Sequence, residues 1–298
     1  MRFIVLLGLL ALAACQSVPP LPAWQSPEGL EHADLGVIRD LRSGEQLTPR
    51  QLLERLAKAP RVLVGEQHDN PDHHALQLWL LQALAAQRAQ GSLLLEMLNP
   101  DQQTKVEQAR AAMAAGQPLA DLPGALAWQQ NWDWALYGPI LRYALAQPYP
   151  VLSANLDRSE IMQIYAARPA LSGTASTAAA VRTALLAQIR ESHCGLLPED
   201  QLPAMLAVQQ RRDRRMAERL LAALEPAILF AGAFHVRRDL GVPLHLADLG
   251  AAQGSLVLIL AEVGKPVAAG TADFVWYSAA QPEQDHCAKL RRQSSSQN

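Results

Sequence analysis

Arg61-Val62-Leu63-Val64-Gly65-Glu66-Gln67-His68-Asp69-Asn70-Pro71-Asp72-His73-His74 passes from an unbroken apolar run into a cluster of carboxylates, imidazoles and amides. An apolar run without alternation reads as a strand buried on both faces. The same shape recurs in Ser92-Leu93-Leu94-Leu95-Glu96, in Pro150-Val151-Leu152-Ser153-Ala154-Asn155 and in Ala227-Ile228-Leu229-Phe230-Ala231-Gly232. Helical lengths separate these runs, at 74–90, 100–115, 120–147, 158–168, 176–192 and 199–224. Buried strands alternating with helices predict an α/β fold with a mostly parallel central sheet flanked by helices. The helical insertions at about 100–147 and 157–222 are expected to form a cap at the carboxyl edge of the strands. Gly254 to Val263 and Asp273 to Ser278 read as two late strands, antiparallel at an edge.

An open α/β sheet binds ligands beyond the carboxyl ends of its strands. Four strands here end in polar groups: Glu66 and His68, Glu96, Asn155 and Asp157, and His235 followed by Arg237 and Arg238. Three of the eight histidines fall within 68–74, which is too dense for even spreading. Gly-x-x-His occurs twice, at 65–68 and 232–235, each time directly after an apolar strand. Glycine there permits close backbone approach. Glu66, His68, Glu96 and His235 therefore form a candidate cluster able to hold a divalent metal or to act as acid and base. Other readings stay open. Glu66 can be a structural carboxylate, and His73 and His74 can be exposed at a helix start. The segment from Trp128 to Tyr137 could line an apolar slot, while Trp128 and Trp132 also fit helix-packing core, and the run Arg211-Arg212-Asp213-Arg214-Arg215 reads as a solvated helix face.

The N-terminus opens with Arg2 and an apolar run from Phe3 to Ala14, the right length for a signal peptide and too short to span a bilayer. It ends in Leu12-Ala13-Ala14-Cys15, which resembles a lipobox. The expectation is a signal peptide over 1–14, an acylated Cys15 and a lipidated tether over 15–30. Gln16 in place of Asp resembles an outer-membrane sorting signal. A single α/β domain over 31–290 and a disordered tail over 291–298 complete the expected organisation. With Cys15 assigned to lipid, Cys194 and Cys287 form an even remainder, which in an oxidising compartment suggests one disulfide. A formal net charge of −2 implies no nucleic-acid partner.

Gly65 to His74, Leu95-Glu96-Met97, Tyr137-Gly138-Pro139, Arg212-Asp213 with Met216-Ala217, and Ala231 to Arg237 together resemble the ChaN family of iron-regulated, haem-binding lipoproteins. The resemblance runs from about residue 34 to 287. The paired Gly-x-x-His motifs are similar to those of a wider superfamily containing Tiki metalloproteases and erythromycin esterase-like hydrolases. The resemblance implies an outer-membrane-anchored lipoprotein that binds haem non-covalently and serves haem or iron uptake or transfer. It also implies tyrosine ligation, with Tyr137 and Tyr143 as competing ligands and His73 or His74 assisting. Arg237 and Arg238 are propionate candidates. Haem, the membrane, an outer-membrane haem receptor and a second copy of the chain are the partners it suggests. The alternative is a metal-dependent esterase or peptidase using Glu66, His68, Glu96 and His235. No His-Glu-x-x-His or Gly-x-Ser-x-Gly pattern supports that alternative.

Overall fold

The computed structural model describes residues 18–117, 119–288 and 291. The signal peptide, Cys15 and almost all of the expected tail lie outside the described residues. The strands are β1 (Ile38–Asp40), β2 (Gln46–Leu47), β3 (Arg61–Glu66), β4 (Ser92–Leu95), β5 (Val151–Ser153), β6 (Ala227–Gly232), β7 (Ser255–Glu262) and β8 (Phe274–Ser278). They form one sheet in the order β2-β1-β8-β7-β3-β6-β4-β5. β3 pairs in parallel with β6 and β7, and β4 with β5 and β6. The helices are α1 (Pro49–Leu56), α2 (Pro71–Ala85), α3 (Gln103–Ala114), α4 (Leu122–Ala125) and α5 (Trp134–Leu145). They continue as α6 (Arg158–Ala167), α7 (Ala179–Ser192), α8 (Leu202–Ala222), α9 (Ala233–Val236) and α10 (Val242–Asp248).

The central strands are apolar throughout because both faces are covered. In β3, Val62 and Val64 join a core with Leu76 and Leu80 of α2 and Ile140 and Leu141 of α5. Leu63, pointing the other way, joins Met216, Ala217 and Leu220 of α8 and Leu246 of α10. The two-residue period of a strand sorts neighbouring side chains into opposite layers. All six residues of β6 are buried. Each fully buried Leu, Ile or Val contributes about 1.5–3 kcal/mol, so this sandwich fixes the strand ends firmly.

Three expectations are corrected. β7 pairs in parallel with both β3 and β8 and lies inside the sheet, and only β1 runs antiparallel to β8. The connection 263–273 returns the chain to the amino end of the sheet instead of turning a hairpin. The helix expected over 120–147 is two helices. Asp121 caps α4, Ala127 sits at φ 46°, and Asp133 starts α5 afresh by accepting from the Ala135 N–H. The segment 18–28, expected as free tether, is docked. Trp79 Nε1 donates to the Pro19 carbonyl at 2.9 Å, and the Asp72 carboxylate accepts from the N–H groups of Gln25 and Ser26 at 2.7 and 3.0 Å. A backbone bridge then joins Glu28 to Ala280. A disulfide joins Cys194, just beyond α7, to Cys287. Among the described residues no helix is long and apolar enough to cross a membrane.

Candidate functional site

β3, β6 and β4 lie side by side, with Glu66 in register with Gly232 and Leu95 with Phe230. Glu66, Gly232 and Glu96 therefore meet at the carboxyl edge. Both carboxylates are buried. Glu96 Oε2 accepts from the Gly232 N–H at 2.7 Å, which fixes its head group. The two Gly-x-x-His glycines are needed for close approach. A Cβ on Gly65 would stand 2.8 Å from the Ala233 Cα, and one on Gly232 would stand 2.9 Å from His68 Nε2.

Two histidine–carboxylate pairs occupy this edge. His68 Nδ1 donates to Glu66 Oε1 at 2.6 Å, and the Tyr137 hydroxyl donates to the same oxygen at 2.9 Å. Trp132 packs edge-on to the His68 ring, with centroids 4.8 Å apart. His235 is clamped from both sides: Nδ1 lies 2.5 Å from Asp213 Oδ1 of α8, and Nε2 lies 3.3 Å from Glu96 Oε1. Gln209 Nε2 stands 3.2 Å from the same Nδ1. Each helical insertion thus supplies a wall, α5 through Tyr137 and α8 through Gln209 and Asp213.

Burial disfavours a charged His235, but Glu96 and Asp213 outweigh it and push its pKa up to about 10. Burial likewise raises the Glu96 carboxyl, yet the His235 charge dominates and holds it well below the usual carboxylate range. His68 follows the same logic: burial opposes its charge, and Glu66, then Glu96, raises its pKa. Burial, with Glu66 alongside, drives the Tyr137 phenol far above its ordinary range.

The structure brings Glu66, His68, Glu96 and His235 together, linked through Gly232. It does not aim them at one ion. Among the described residues no three His, Cys, Asp or Glu side chains are arranged to hold a metal. The physical reason is that His235 has both ring nitrogens engaged, by Asp213 and Glu96, while His68 is held by Glu66 through Nδ1 alone, so the expected shared divalent-metal set is corrected to two separate histidine–carboxylate pairs. Most of the other candidates are engaged in bonds of their own. Tyr137 is buried, and its hydroxyl is spent on Glu66. Tyr143 packs half-buried against the core, on the turn of α5 beyond Tyr137. His73 is fully buried, with Nδ1 accepting from the Gln67 N–H and Nε2 donating to Ser278 Oγ. Burial holds it neutral. His74 is buried against the Tyr137 ring, and its Nε2 donates to the His68 carbonyl at 3.1 Å. Arg237 is bound bidentately by Asp239. Arg238 reaches Asp273 and the Ser255 carbonyl at the amino end of β7, away from the cluster.

Sequence reasoning missed Gln209, and it named Asp213 only within the motifs that carry the resemblance, without a role at the site. The signal for Asp213 lay in spacing: it falls in the stripe with Leu206, Ala217 and Leu220, so an acid stands on the buried face of α8.

The family described as haem-binding uptake, Tiki superfamily, ChaN matches residues 52–246. The fold is similar to that of ChaN from Campylobacter jejuni, solved for its cofacial haem binding. The two share 30% identity over 80% of this chain and 95% of that one, with a TM-score of 0.74. An erythromycin esterase variant in its open conformation shares 12% identity over 86% of this chain and 87% of that one, with a TM-score of 0.47. A MARTX toxin effector domain from Vibrio vulnificus shares 16% over 80% of this chain and 39% of that one, with a TM-score of 0.43. No curated protein matches the sequence. With the family match spanning well over half the chain and the ChaN likeness covering most of it, this protein belongs to the ChaN haem-binding uptake family of the Tiki superfamily.

Proposed function

We propose that the chain is a haem-binding lipoprotein, anchored at the outer membrane, that takes part in haem or iron uptake or transfer, and that His68 is its iron ligand. The observation that carries this reading is the state of His68. Its side chain is 42% exposed, its Nδ1 is held by buried Glu66, and its Nε2 lies over Gly232 with no partner among the described residues. A carboxylate on one ring nitrogen is how imidazole ligands are oriented for a metal on the other. Trp132 adds an aromatic wall beside the His68 ring, suited to a porphyrin face. Haem bound there would supply iron as cargo, and the chain would supply one imidazole.

Tyrosine ligation has a further candidate beside Tyr143. Tyr165 of α6 is half-buried, outside the apolar core, and among the described residues its hydroxyl donates to Gln201 Oε1 at 3.0 Å. Haemin titrated into the purified chain should produce a Soret shift. His68→Ala should weaken haemin binding about tenfold or more, the cost of a lost strong ligand contact. If Tyr165→Phe takes that loss instead, the ligand is on α6. A wild-type chain that gives no Soret shift sinks the haem reading altogether.

A single ligand on an exposed edge leaves one haem face open. The Campylobacter jejuni protein binds haem cofacially. A second copy of this chain, closing over that face, and an outer-membrane haem receptor are the partners we propose. Anchoring rests on the lipobox at Cys15. Because Pro19 is already bonded to Trp79, only a few residues lie between the acyl chains and the domain, a reach of about 10 Å. Acyl chains supply about 0.8 kcal/mol of membrane affinity per buried CH₂. Cys15→Ser should therefore move the protein out of the membrane fraction. Retention after a high-salt wash would remove the lipid anchor from this reading.

A further inference from the structure

The basic run of α8 does not face open solvent. Arg211, Arg214 and Arg215 lie half-buried beneath α6 and the segment 168–178. Between that segment, α7 and α8 is a cavity of about 300 Å³. Its polar wall carries Arg168, Arg182 and Arg211, and its apolar wall carries Leu171, Pro203 and Leu206. Among the described residues no carboxylate lines it. A second hollow, of about 280 Å³, adjoins it through Pro169 and Arg211.

The acids nearby are already committed. Glu160 is bound to Arg215 at 2.5 Å and Glu218 to Arg214 at 3.0 Å. The Asp248 carboxylate accepts from the N–H groups of Thr174, Ala175 and Ser176 and from the Ser176 hydroxyl. Arg168 and Arg182, by contrast, have no carboxylate partner among the described residues. Arg211 spends one Nη2 hydrogen bond on the Ala170 carbonyl at 2.8 Å. Its Nε is buried with no acceptor. A buried donor left unmet is costly, and Arg168 and Arg182, exposed along the same cavity, add positive charge that favours an anion there. Planar guanidinium donors match the geometry of phosphate and carboxylate oxygens.

We propose that this cavity binds a small phosphate-type oxyanion carried on a compact apolar group, at a site separate from the histidine–carboxylate edge. The size supports that class. Small-molecule sites run from about 300 to 1,000 Å³, and this cavity stands at the lower end. A phosphate monoester fits that volume and a porphyrin does not. The anion takes the three arginines, and the apolar group covers Leu171 and Leu206.

Isothermal titration of the purified chain with butyl phosphate tests this, with inorganic phosphate as the second probe and chloride holding ionic strength constant. Butyl phosphate should bind more tightly than inorganic phosphate. Arg168→Gln and Arg182→Gln, both at exposed positions where folding is not at risk, should each weaken it about tenfold. Haemin titration should be unchanged in both variants. Heats equal to the chloride control, or affinity unaltered in both variants, would overturn the site. Equal affinity for the two probes would overturn the apolar group, and haemin affinity falling in step would overturn the separation from the edge site.

Discussion

Asp213→Ala should lower the free energy of unfolding by about 3–5 kcal/mol, the cost of breaking a fully buried ion pair by removing one partner. Asp213 is completely buried, and His235 is 7% exposed. The truncation leaves an imidazolium facing a hole, with Glu96 as its remaining counter-charge at 3.3 Å. The pH dependence follows from the same geometry. His235 is raised from its ordinary 6.5 to about 10, so its contribution is fully present below pH 6.5 and is lost as pH rises towards 10. Glu96 is depressed below its ordinary 4.5, so its contribution is present above that pH and is lost as pH falls further. For these two groups stability is greatest between about pH 4.5 and 6.5. Urea midpoints at pH 6, 8 and 10 should fall steeply in the wild type and less steeply in Asp213→Ala. Parallel profiles would show that the pair is not charged in the folded protein.

The central strands were legible because burial on both faces leaves no polar position inside β3, β4 or β6 to interrupt the run, with polar residues only at strand ends. β1 and β2 were not, being three and two residues long and held in place by β8. The direction of β8 could not be read either. A hairpin and a return crossover carry the same Gly and Pro signals, and 263–273 is close to the dozen or so residues a parallel connection needs. The break between α4 and α5 was hidden for a related reason. Its Trp128–Trp132 spacing fits a helix face, yet Trp128 Nε1 donates to the Trp132 carbonyl across a turn.

At the site, the strand-end residues were legible and their helix partners were not. Glu66, Glu96 and His235 follow directly from where apolar runs stop. Tyr137 was visible as a residue, but its use was misread, because an aromatic with a hydroxyl suits a ligand and a buried donor equally well. His73 and His74 follow the cap at Asn70 and look exposed from the sequence alone. The docked segment 18–28 and β8 are what cover them, through Asp72 and Ser278. That covering comes from residues far away in the chain, and no local pattern announces it.

Cys194→Ser with Cys287→Ser should cost about 2–4 kcal/mol of stability, which for a chain of this size lowers Tm by roughly 5–15 °C. The two cysteines are 93 residues apart, so the bridge removes a long loop from the unfolded ensemble, with about 4–5 kcal/mol as the chain-entropy ceiling. Just beyond Ala280 the C-terminal segment is tied by Gln281, which donates from its side chain to Ser26 Oγ and from its backbone to Glu262. The bridge therefore fastens the end of α7 to a strip that itself clasps the docked N-terminal segment. Reduction should loosen that strip before the sheet yields, giving a low-temperature shoulder in the melting curve that the oxidised protein lacks. The histidine–carboxylate edge contains no residue of the strip, so haemin affinity in the double variant should stay within about twofold of wild type, as expected for distant, independent sites. Two alkylatable thiols in the untreated protein, or a double variant melting with the wild type, would remove the clasp from this account.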